Sequence, residues 1–112
     1  MTYYKKIIAI ALLSASAVAG LLLVNSAADT NEINGESEFK EHCASCHAGG
    51  GNIIRADKTL SSKDREEYGI KTSIDIVSLI RKPGEGMTAF DEKTISDQEA
   101  KAIADYIITT FE

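Results

Sequence analysis

The run Cys43-Ala44-Ser45-Cys46-His47 constrains this chain more than any other five residues. Two cysteines three apart share one face of a helical turn, so both thiols reach one edge of a porphyrin and can form thioethers with its vinyl groups. A histidine directly after the second cysteine completes the attachment signature of a c-type haem. Its imidazole, four residues from Cys43, can turn beneath the macrocycle and take an axial position on iron. Tether and ligand are then one element.

Two other chemistries use similar residues. A thiol–disulfide redox pair also reads C-x-x-C, but it sits at the end of a strand in a βαβ unit, and no strand pattern precedes Cys43. Zinc would have to draw on His42, Cys43, Cys46 and His47. Four ligands in so short a stretch do not surround a tetrahedral ion, and there is no second cluster to help.

The N-terminus reads as an export signal. Lys5 and Lys6 precede an uncharged apolar run from Ile7 to Val24, which ends in small residues through Ala28. Cleavage after Ala28 places Ser26 and Ala28 at the two small-residue positions, and the mature chain then starts at Asp29. The run of 18 residues is also close to the shortest membrane span, so an uncleaved N-terminal anchor is the alternative. Ser14, Ser16 and Gly20 weaken it as a permanent anchor. Either way residues 29–112 are expected outside the cytoplasm, in the periplasm.

Residues 29–112 form one small domain, near the size at which a bare apolar core is barely sufficient. A covalent haem would supply much of the missing surface. Both cysteines are committed to the motif, leaving none for a disulfide. The 12 basic residues, less Lys5 and Lys6, stand against 17 acidic ones, a net of about −7 for the domain. Nucleic acid and anionic membrane surfaces are poor partners for such a chain. A basic docking patch on a redox protein suits it better, and a monomer is expected.

The patterning is helical, with no period-2 strand of useful length. A first helix starts near Asn34 and puts Gly35, Phe39 and Cys43 on one face, with Gly49, Gly50 and Gly51 as its stop. Ser61 or Ser62 caps a short helix to about Glu67, closed by Gly69. Thr72 or Ser73 caps the next, whose broad apolar face includes Ile74, Ile76, Val77, Leu79 and Ile80, and which ends before Pro83. Ser96 and Glu99 form a capping box for a last helix to about Phe111, with Ala100, Ile103, Ile107 and Phe111 as its buried stripe.

The loop from Pro83 to Phe90 carries Met87, the sole methionine once Met1 is gone. A methionine is most often a core gap-filler. In a Pro-Gly-Glu-Gly loop, off any helical stripe, it is better placed as the second axial iron ligand, where a soft thioether favours Fe(II). His42 is the rival ligand. Its place beside Cys43 on the attachment helix points it away from the distal face, as an ordinary surface histidine.

Taken together, Gly35, Phe39, Cys43 to His47, the segment AGGGNIIRADKTL from Ala48 to Leu60, Glu67-Tyr68-Gly69-Ile70, the loop Arg81 to Phe90 and a last helix with Tyr106 resemble the class I cytochromes c. The likeness is nearest to cytochrome c6 and its non-photosynthetic bacterial relatives. It implies an all-α fold of four to five helices wrapped around one covalent haem c. It further implies that the first and last helices cross, that Gly35 and Tyr106 meet at the crossing, and that His47 and Met87 are axial ligands. Thr88 stands where family members usually carry proline. Leu79 aligns with a glutamine of the photosynthetic proteins, which points to a respiratory or metal-reducing chain. The expected function is one-electron transfer between redox protein partners, with no substrate transformed. A gas sensor or peroxidase-like protein, in which Met87 leaves the iron, is the alternative.

Overall fold

The computed structural model describes residues 32–112; the signal or anchor reading of residues 1–28 lies outside them. Within the described residues the chain is helical, with no strand. Helix α1 spans Gly35–His42 and opens on Asn34, whose side chain accepts from the Ser37 amide at 2.9 Å. Glu36 and Glu38 in its first turn favour the positive helix end. The helix does not run on through the motif as its spacing suggests. Cys43 leaves helical geometry at φ −121°, and a separate short helix α2, Ala44–His47, follows.

The remaining helices begin where the capping residues lie. Helix α3, Ser62–Glu67, takes its cap from Ser61. Helix α4, Ser73–Arg81, starts in a capping box between Thr72 and Asp75, and α5, Asp97–Thr110, in one between Ser96 and Glu99. The hydrogen bonds of these boxes hold the Asp75 and Glu99 carboxyls below the usual carboxylate range.

Helix α1 crosses α5, and α4 packs along α5. The crossing is close enough that a Cβ on Gly35 would overlap the Ala102 backbone carbonyl and come within 3.1 Å of the Tyr106 Cβ. Only a residue without a side chain lets the two backbones approach this far. Around the crossing, the Phe39 ring lies 5.3 Å from Tyr106 and 5.5 Å from Phe111, both tilted. Ser73 Oγ donates to Asp105 Oδ1 at 2.6 Å and ties the start of α4 to α5.

The core holds Phe39, Cys43, Ile76, Ile80, Ile95, Ala100, Ile103, Ala104 and Ile107. Three details depart from the sequence reading. Ile74, assigned to the apolar face of α4, is 78% exposed. Ile95, in no helical stripe, is completely buried just ahead of α5. Phe111 is half-buried at the end of α5, and Ala104 takes a fully buried place in the stripe.

Candidate haem-binding site

One large cavity, of about 640 Å³, opens among α1, α2, α3, α4, α5 and the loop after α4, a volume suited to a cofactor. Cys43, Cys46, His47 and Met87 all line it. So do apolar residues of the helices behind them, Phe39, Ile76, Leu79, Ile80, Ile103 and Ile107. Cys43 is buried and Cys46 half-buried, both as free thiols. Burial pushes the Cys43 thiol up to about 11, a value that belongs to the free thiol and has no counterpart in a thioether.

His47 ends α2 with its ring already oriented. Its Nδ1 lies 2.8 Å from the Gly51 carbonyl oxygen. A carbonyl only accepts, so Nδ1 carries the proton and Nε2 keeps its lone pair. The chain reaches Gly51 through a single 3-10 turn, Ala48–Gly50, in which Gly50 stands at φ 81°. A side chain there would be strained and would also strike the Phe111 ring. The turn is further held by the Leu60 amide, which donates to the Gly50 carbonyl at 2.7 Å.

Met87 lies in the loop between α4 and α5, 37% exposed at the edge of the cavity. The foot of that loop is fastened twice. The Phe90 amide donates to the Ile80 carbonyl at 2.9 Å, and Arg81 Nη1 donates to the Phe90 carbonyl at 3.1 Å while its Nη2 bonds Asp97 at 2.8 Å. Arg81 thereby links α4, the loop and the start of α5.

Several lining residues escape a reading of the sequence. His42 is corrected most: its side chain is 19% exposed, it lines the cavity, and its ring meets Phe90 edge-on at 6.2 Å. Phe90, in the loop after α4, lies against it, a neighbour that its helical position alone does not reveal. Ile54, Arg55, Lys58 and Tyr68 also line the cavity from the segment between α2 and α4. There Arg55 forms two hydrogen bonds to Asp57 and, with Tyr68, holds the Asp57 carboxyl down to about 2. Lys58 Nζ sits 4.6 Å over the Tyr68 ring. The mixed charge of Arg55, Asp57 and Lys58 in one short stretch is the signal that could have marked this rim as ordered.

These residues fit a covalent haem: two thiols and an imidazole with a free Nε2 at one wall, a thioether at the edge, and apolar side chains between. Comparison with known proteins agrees. Residues 30–107 match the family model described as cytochrome C oxidase, cbb3-type, subunit III. The cytochrome c6-like protein of Nostoc sp. strain PCC 7120 is 37% identical over 78 residues, which cover 70% of this chain and 69% of that one. Cytochrome c6 of Thermosynechococcus vestitus is 31% identical over 99 residues, covering 86% and 88%. Among solved structures, outer membrane cytochrome OmcF of Geobacter sulfurreducens superposes with a TM-score of 0.69 at 42% identity, covering 70% of this chain and all of that one. Cytochrome c6C of Synechococcus sp. PCC 7002 gives 0.65 at 30% identity, covering 69% and 93%. With a family model matched over residues 30–107, c6-like relatives above 30% identity and a superposing cytochrome structure, the chain belongs to the class I cytochromes c, among c6-like electron carriers whose members bind one covalent haem c.

Proposed function

We propose that this protein is an exported monohaem electron carrier of the periplasm, with thioethers at Cys43 and Cys46 and with His47 and Met87 as axial ligands. The observation that carries the reading is the His47 ring, fixed by Gly51 so that Nε2 is the nitrogen left to bind a metal. When bound, haem supplies a single Fe(III)/Fe(II) couple. The chain's own work is to fix the ring's position, to cover it with Leu79, Ile80 and Ile103, and to keep Met87 on a loop fastened by Arg81. Redox proteins with a basic docking patch remain the partners that this acidic chain suits. Among the described residues no helix is long and apolar enough to cross a membrane.

The ligation is tested at Met87. Oxidised protein should carry the weak near-infrared sulfur-to-iron band, and Met87→Ala should remove it and lower the midpoint potential. A band that survives the substitution rules Met87 out. The second reading is a gas-binding or peroxidase-like protein in which Met87 leaves the iron. Rapid carbon monoxide binding to the ferrous protein at neutral pH would establish that second reading.

Leu79 bears on which chain the carrier serves. It lines the cavity half-buried, where it offers the porphyrin a hydrocarbon surface and no dipole. With the axial ligands fixed, the polarity packed against the ring is the remaining lever on potential. Leu79→Gln should therefore raise the midpoint with the ligand bands unchanged. An unmoved midpoint would make Leu79 plain core and remove the argument for a respiratory or metal-reducing role.

A further inference from the structure

Among the described residues only one charged side chain is buried, and it is a cation in an acidic protein: Arg65, 6% exposed, on α3. Its Nε donates to the Leu60 carbonyl at 2.8 Å and its Nη2 to the Phe111 carbonyl at 3.2 Å. Carbonyl dipoles satisfy these hydrogens without cancelling the charge. No carboxylate among the described residues, the C-terminal one included, forms an ion pair with Arg65, and Nη1 takes no acceptor from them. A buried cation with no counter-charge is among the costliest groups that a small domain can hold. Arg65 is nevertheless part of the wall of the haem cavity.

The missing counter-charge has an available source. Haem carries two propionate carboxylates, and a guanidinium matches a carboxylate in shape, charge and hydrogen bonding. The other cations on the cavity wall are differently engaged: Arg55 is exposed and paired with Asp57, and Lys58 lies exposed over Tyr68. We propose that Arg65 is the counter-cation of a haem propionate and, through that pairing, a residue that sets the reduction potential of the iron. Reduction removes one positive charge from the haem, so a fixed cation beside it in a water-poor site favours Fe(II). The Leu60 and Phe111 carbonyls then act as the brace that aims the guanidinium. This reading rests on a haem in the cavity and is independent of whether His47 and Met87 are its ligands.

The test uses haem-loaded wild type, Arg65→Met and Arg65→Lys, each titrated potentiometrically. Arg65→Met should lose about tenfold in the Fe(II)/Fe(III) ratio at a fixed electrode potential, which is 59 mV for a one-electron couple. Arg65→Lys should recover most of that loss, because it restores charge without the fork. A midpoint that does not move in haem-loaded Arg65→Met overturns the proposal and leaves Arg65 as a structural tie. Since Arg65→Met also gives up the bonds to Leu60 and Phe111, a measurement on wild type guards against a variant that does not fold. In the ferrous protein the Arg65 guanidinium protons should show nuclear Overhauser contacts to propionate methylene protons, and their absence equally overturns the pairing. The near-infrared band is read on the same samples. Its loss with the contacts present would refute the Met87 ligation alone.

Discussion

Replacing His47 by alanine should leave almost no stable haem-loaded protein. The expectation comes from size as much as from ligation. A domain this small buries only about 60% of its unfolded surface, and here a cavity of about 640 Å³ lies in the middle of what should be core. Filling that space with a macrocycle is a large share of the stability, and ligand and fold are linked by mass action. On the proposed ligation, removing His47 takes from the iron the imidazole that α2 and the Gly51 carbonyl hold in place. Soret absorbance per mole of purified protein is the readout. Cys46→Ser, which leaves the thioether at Cys43, should lose less haem than His47→Ala. A His47→Ala protein with wild-type haem content and thermal midpoint would show that neither the ligand nor its brace matters.

The second large effect is expected at Gly35. Any side chain there would lie under 3.0 Å from the Ala102 carbonyl, a backbone atom that no rotamer change can move away. Gly35→Val must push α1 off α5 and open the contacts of Phe39 with Tyr106 and Phe111. Overpacking of this kind costs about 3 kcal/mol or more, and at roughly 4–8 °C per kcal/mol for a domain of this size the melting midpoint should fall by some 12–24 °C. Gly49→Ala is the control. Gly49 stands at φ 60° with nothing within 4 Å of an added Cβ, so it carries only the backbone penalty of about 1–2 kcal/mol. Equal losses at the two positions would mean that the crossing is loose enough to absorb a side chain.

The sequence reading succeeded where local chemistry decides structure. Thr72, one of the two caps expected there, and Ser96 with Glu99 start helices because their side chains answer orphan amides within three residues, and such interactions need no tertiary information. The motif and Pro83 are local in the same sense. The all-α fold and the helix crossing at Gly35 followed from likeness to known proteins and agree with the structure. Failure came where a residue's surroundings are set by distant parts of the chain. Arg65 reads as one more charge in the polar run Lys63 to Glu67, and its bond to the carbonyl of Phe111, 46 residues on, is beyond any local reading. Ile95 belongs to no stripe, and Ile74 belongs to one that finds nothing to cover it. His42 followed the same rule, because its neighbour Phe90 comes from a loop some 48 residues on.

The crossing of α1 with α5 also sets an order in time. Its two partners are the first and last helices of the domain, so the contact with the widest sequence separation is also the one that buries Phe39 and seals the wall beside Cys43. Closing so long a loop costs entropy that short-range helix pairs do not face. Until α5 has left the machinery that makes or moves the chain, Phe39 and Cys43 have no cover. The thiols therefore stay open to a cofactor until α5 docks on α1, and the closing of that crossing is what ends the interval.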